Sequence, residues 1–217
     1  EDELFGIGSA LGELDTGVFE LAPMGAAGED IVNPIKEVEW MRRLSAEIGR
    51  PVTFAMIQVD SAPDLWRELM DASLDAVADG ADIWPQIAGR ATGLLGGHFT
   101  TYSLFDVVPA YAALKARRLG EDEFHQALLD PAVRESITGW NPDPATAERL
   151  DHALEHTYLL GDPPDYEPGP ERSIAGLAAA SGRAPLDVAY DAMLANDGNG
   201  LLYVPILNYS DGSLDPV

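Results

Sequence analysis

The chain contains no cysteine. Disulfide bonds, thiolate metal sites and a cysteine nucleophile are therefore excluded. Cationic residues are scarce: 13 Lys and Arg stand against 37 Asp and Glu, for a formal charge of −24. Such an acidic balance repels both the phosphate backbone of nucleic acids and anionic lipid headgroups, which argues against either as a partner. No stretch approaches the ~18 consecutive apolar residues that span a bilayer, and the first residues show no basic leader pattern, so the cytoplasm is the expected compartment. A G-x-S-x-G nucleophile elbow, a phosphate-binding loop and a dinucleotide fingerprint are also absent, leaving serine hydrolysis and nucleotide binding without support.

What is present centres on Gly49–Gly97. Pro51–Gln58 is an apolar run ending in a polar residue, as expected of a strand buried on both faces. Asp64–Ala78 places Leu65, Leu69, Ala72, Leu74 and Val77 near helical spacing, and Asp82–Gln86 is a second short strand followed by a Gly-rich turn from Gly89 to Gly97. Strand, helix and strand at this spacing form a βαβ unit. Polar residues at the C-terminal ends of parallel strands face the ligand site in such folds. Gln58, Gln86 and Arg90 are thus expected around one mouth; the alternative is that the glutamines merely cap strand ends.

Upstream, Glu3–Leu14 reads as a helix with Leu4, Ile7, Leu11 and Leu14 on one face, and Gly17–Ala22 as a short strand. Pro23–Gly28 reads as a loop. Asn33 caps a helix that opens with Pro34 and stops at Gly49. After Gly97 the pattern turns helical: Phe105–Leu119, Asp122–Leu129, Pro131–Ile137, Ala145–Tyr158, Ser173–Ser181 and Pro185–Leu194, with a Pro- and Gly-rich loop at Gly161–Pro170. Leu201–Leu207 is a final apolar run, followed by Asn208, Tyr209 and Asp211, which stand either at a strand end lining the pocket or in a turn with Gly212.

Two further motifs carry possible chemistry. His152-Ala153-Leu154-Glu155-His156 matches H-x-x-E-H, which on a helix puts both histidines on one face for zinc, with a glutamate beside them as general base; the plain alternative is an acidic helix with two incidental histidines. Ser173–Leu194 has the outline of a helix-turn-helix, yet its second helix offers Asp187 and Asp191 where a DNA reader needs cations, so helix packing accounts for it. His98, after the Gly-rich turn, is either a proton donor or ligand at the mouth, or a surface loop residue.

The blocks GVFELAP, LSAEIGRPVTFAMIQ, DIWPQIAGRATGLLGG, LLGDPPDYEP, GRAPLDVAYDAML and LLYVPILNYSDGSLDPV, taken in order, resemble the N-acyl-D-amino-acid deacylase branch of the amidohydrolase superfamily over nearly the whole chain. The resemblance implies a metal-dependent (β/α)8 barrel that hydrolyses an N-acyl amino acid or related amide. In that family zinc polarises the carbonyl and activates water, and a strand-end aspartate acts as base. It further implies an HxH pair on the first barrel strand and histidines on the fifth and sixth. This sequence has no HxH. The family histidine positions fall near Glu20 or Ala22 on the first strand here, and near Met56 or Gln58 on the second. Glu20 is the one candidate metal ligand, and Gln58 suits a substrate hydrogen bond.

The expected fold class is therefore α/β, a partial (β/α)8 TIM-type barrel with a helical region in its second half. About three βα units are expected over 1–100, a mostly helical region over 101–200 and a return to a barrel strand and loop over 201–217, all within one domain of a longer protein. The rest of the same polypeptide or further copies of the chain would complete the barrel. Expected substrate-binding residues are Gln58, Gln86, Arg90, His98, Asn208 and Tyr209, the expected metal is zinc, and the expected partner is a small N-acyl amino acid. A non-catalytic barrel fragment with a binding or structural role is the alternative.

Overall fold

The structure, a computed structural model, describes residues 1–24, 33–59 and 62–209, Asn33 by its backbone alone. The loop beyond Met24, the Asn33 side-chain cap, Asp211 and Gly212 lie outside the described residues. The chain divides into two compact units, Glu1–Thr92 with Leu207–Val217, and Gly93–Ile206.

The first unit is built on three parallel strands. Their order follows the chain: β1 (Phe19–Leu21), β2 (Val52–Ala55) and β3 (Ile83–Gln86). Helix α1 (Asp2–Leu14) precedes them; α2 (Asn33–Ile48) and α3 (Leu65–Ala78) are the crossovers. Gly49, at φ +63, stops α2 in the left-handed conformation that glycine adopts without strain. Met41, Leu44 and Ile48 of α2 and Leu69 and Ala76 of α3 share one core with Phe19, Val52, Phe54 and Ile83 of the strands. Side chains alternate across a strand, so the neighbouring register row Glu20, Thr53 and Trp84 points to the opposite face. Both crossover helices thus cover the same face. That is the consequence of a strand order that never reverses; a doubly wound sheet reverses order and carries helices on both faces.

The stripes expected from hydrophobic spacing hold in part: Leu4, Leu11, Leu65, Leu69 and Ala72 meet the core. Ile7, Leu14, Leu74 and Val77 are exposed. Helix α1 buries Gly8, whose missing side chain admits Leu44 of α2: a Cβ there would stand 2.8 Å from Leu44 Cδ1. Leu4 and Leu11 of the expected stripe do pack against the core, and the close approach at Gly8 adds to them. In α3 the buried face is Leu69, Ser73 and Ala76, with the Ser73 hydroxyl donating back to the Leu69 carbonyl at 2.7 Å.

The second unit is mostly helical and surrounds a leucine-rich core that includes Tyr111 and Tyr190. It holds α4 (Pro109–Lys115), α5 (Glu121–Leu128), α6 (Pro131–Thr138), α7 (Pro144–Glu155), α8 (Ile174–Ser181) and α9 (Pro185–Gly198). A small sheet is ordered β4 (Thr92–Gly96), β6 (Leu202–Leu207), β5 (Tyr158–Leu159), with β5 and β6 antiparallel. The Gly-rich stretch expected as a turn is strand β4. Its glycine is needed for strand approach, since a Cβ on Gly93 would lie 2.6 Å from the Tyr203 ring and 2.7 Å from the Val204 carbonyl.

The helix expected over Phe105–Leu119 is two elements. A 3₁₀ turn, Leu104–Val107, is closed by a reciprocal Ser103–Asp106 capping box; α4 then opens at Pro109, which has no N–H to continue the turn. Helix α7 ends at Glu155, not Tyr158. There the Thr157 hydroxyl donates to the Ala153 carbonyl at 2.6 Å and Tyr158 pairs with Tyr203 in the sheet. In α9 regular geometry ends at Leu194, because Ala195, Asn196 and Asp197 are non-helical. Among the described residues no helix is long and apolar enough to cross a membrane.

Candidate functional site: the strand end of the parallel sheet

Parallel pairing puts the C-terminal ends of β1, β2 and β3 on one edge of the first unit. The chain beyond β2 stays paired, the Met56 N–H donating to the Gln86 carbonyl at 2.9 Å, and reaches Gln58, which is 2 % exposed. There it meets the segment after β6. The Gln58 N–H donates to Asn208 Oδ1 at 2.8 Å, and the Asn208 N–H donates to the Gln58 carbonyl at 3.0 Å. Asn208 sits at φ +59, a left-handed conformation that asparagine tolerates better than most residues, and is 1 % exposed. This two-point clamp satisfies the backbone and leaves the side-chain amides over. Both Gln58 side-chain atoms and Asn208 Nδ2 are buried without a hydrogen-bond partner. Each orphaned group costs roughly 1–3 kcal/mol of desolvation. Tyr209, next in the chain, is buried too.

The other expected site residues fall as follows. Gln86 pairs with Ala55 in the register and is exposed at the end of β3, and Arg90 is exposed just beyond it. Glu20 is exposed on β1, in the row with Thr53 and Trp84. That row faces away from the helices. Trp84 is 64 % exposed, and the Thr53 hydroxyl donates to the Trp84 carbonyl at 2.8 Å.

His98 belongs to the second unit and is no surface loop residue: it is 3 % exposed, 3.1 Å from the Tyr111 hydroxyl through Nδ1, stacked on Phe105 and edge-on to Tyr190. Burial lowers its pKa to about 4, with the charge of His125 adding to the effect, so the ring is neutral at physiological pH. Its Nε2 has no partner. Sequence spacing alone did not show the Tyr111 and Tyr190 company of His98 or the Gln58–Asn208 clamp. The Asn-Tyr-Ser-Asp-Gly stretch, rich in residues that tolerate positive φ, is the one local signal for the clamp.

The zinc implied by the resemblance can be tested on this edge. Tetrahedral zinc takes imidazole, thiolate or carboxylate ligands. Across the row the side chains are one carboxylate, one hydroxyl and one indole, and beyond it come two carboxamides; Glu20 is the sole ligand of the required kind. The residues of this sheet do not fit zinc. The group of three ligating side chains found among the described residues is His152, Glu155 and His156, on and just after α7 of the second unit.

Compared with known proteins, the chain matches no family model, no curated protein and no solved structure.

Proposed function

We propose that this chain forms the substrate-holding part of an amidohydrolase-like barrel, acting on an N-acyl amino acid or related amide. The buried, unpartnered side-chain amide of Gln58 and the Nδ2 of Asn208 at the strand end carry the reading. Together they offer donors and one acceptor in a water-poor setting. An N-acyl amino acid presents the complement, with its amide C=O and carboxylate accepting and its amide N–H donating. Gln86 and Arg90 stand at the end of the adjoining strand, where a guanidinium suits a substrate carboxylate.

The sheet order supports the barrel. Three parallel strands in chain order with both crossover helices on one face are compatible with a segment of a (β/α)8 barrel. Any zinc serving the reaction would be held by residues other than those of this sheet, and no hydrolytic step is assigned to Glu20. A cytoplasmic location accompanies the reading, since a cysteine-free acidic chain needs no oxidising compartment.

The lack of an imidazole along these strands favours a second reading, binding without catalysis. Calorimetric titration with N-acetyl-amino acids of both chiralities tests the shared claim, and a deacylase assay with zinc separates the two. Saturable binding that disappears in Gln58→Leu, while that variant melts at or above the wild-type temperature, is the expected result. Replacing an unsatisfied amide with an apolar group removes a desolvation cost of about 1 kcal/mol or more. Wild-type levels of binding by Gln58→Leu would sink both readings. Arg90→Ala is expected to raise KM for a carboxylate-bearing substrate in any active form.

A further inference from the structure

We propose that His152, Glu155 and His156 form a binding site for a divalent transition-metal ion of the zinc class. One ligand atom from each lies within 4.8 Å of the other two, and the two imidazole rings are 4.2 Å apart between centroids. Their i, i+4 spacing at the last turn of α7 brings them to one face. Zinc–nitrogen bonds of ~2.0–2.1 Å at tetrahedral angles put ligand atoms about 3.3 Å apart, so closure draws together the exposed His152 and Glu155 and the half-buried His156.

The hydrogen bonding at the helix end prepares one ligand. His156 Nδ1 is 2.8 Å from the His152 carbonyl. A carbonyl only accepts, so the hydrogen is on Nδ1, and Nε2 is left with its lone pair. Backbone-held imidazoles of this kind are the usual form in metal sites.

The frame beneath is firm. Leu150 and Leu154 of the same helix are buried in the core of the second unit, Thr157 is fully buried, and its carbonyl accepts from the Ile174 N–H at 2.8 Å. The turn that carries both histidines is thereby anchored on its inner side. The strongly acidic chain concentrates cations around it. Three protein ligands leave a fourth position to water, the arrangement of an open site, and two imidazoles with one carboxylate favour zinc, nickel or copper over magnesium or calcium.

The test uses the whole chain, made without a histidine tag and stripped with a chelator, then titrated with zinc chloride by calorimetry and with cobaltous chloride by visible absorption. One equivalent is expected to bind, with cobalt giving the intense bands of a four- or five-coordinate site. Loss of an outer partner of a metal ligand costs roughly 10–100-fold in affinity, so loss of a ligand itself in His152→Ala or His156→Ala should cost about 100-fold or more. Circular dichroism of both variants should match the wild type, because His152 is exposed and His156 is half-buried. Absence of a saturable equivalent in the wild type, or unchanged affinity in folded His152→Ala, would overturn the proposal.

Discussion

Each unit of this protein buries polar atoms that find no partner, and the two do so in different ways. In the first unit the orphans are the side-chain amide of Gln58 and the Nδ2 of Asn208, at a strand end where backbone hydrogen bonds have just run out. In the second Nε2 of His98 is such an atom, on a ring whose other nitrogen bonds Tyr111 and which packs against aromatics. The histidine meets its enclosure by staying neutral; a carboxamide has no such recourse. Buried polarity in the second unit is thus ringed by aromatic side chains, whereas in the first it lies at a strand end beside a backbone clamp. The same signature thus arises in two different surroundings.

The largest expected effect separates the two units as folding entities. Phe54→Ala empties the centre of the first core and should cost about 3–5 kcal/mol. Thermal melts followed by calorimetry would show whether one transition moves or the entire protein does, and Phe105→Ala is the counterpart for the second core.

Next in size is the pH response of the second unit. The folded pKa of His98, about 4, lies below the ordinary 6.5, so the unfolded chain binds the proton first. Stability contributed by the neutral ring is complete above pH 6.5 and is lost as pH falls toward 4, by roughly 3 kcal/mol at the limit. His98→Gln should flatten the stability profile across that window relative to wild type. Equal slopes would place the acid sensitivity elsewhere.

Asn208 probes the clamp of the first unit. Asn208→Gly keeps the positive φ but removes the acceptor for the Gln58 N–H, at a cost of about 1–3 kcal/mol, while Asn208→Asp keeps Oδ1 but buries an unpaired charge and should lose more. Urea denaturation of the pair measures the difference. The smallest effect belongs to the surface: Arg42→Ala breaks pairs with Glu39 and Asp79, all exposed, and the melting temperature should not move measurably at any salt concentration.

Much of the fold was legible in the sequence. The strands at Phe19, Val52 and Ile83, the crossover helices and the helix stop at Gly49 follow from apolar runs, spacing and a left-handed glycine. What escaped depended on contacts between distant residues. Gly93 read as part of a turn because glycine is the usual breaker, and Gly8 carried no signal within its helix, yet here each makes room for a neighbour. Tyr158 read as helix because nothing local announces its pairing with Tyr203. At the candidate site the strand-end glutamine was visible, since polarity closing an apolar run is a local signal. Its partnership with a residue 150 positions away was not. The H-x-x-E-H pattern was equally plain as letters; the bond from His156 to the His152 carbonyl is the added fact that makes the pattern chemically specific.

The row of side chains turned away from the helices has an optical consequence. Trp84 holds its indole mostly in water, while Trp40 is buried against Phe19 on the helical side. Within a closed barrel the Trp84 ring would line the lumen, screened from collisional quenchers. Acrylamide quenching compared between the wild type and Trp84→Phe therefore turns an exposed aromatic into a label-free gauge of whether anything covers this face, readable at any stage of purification.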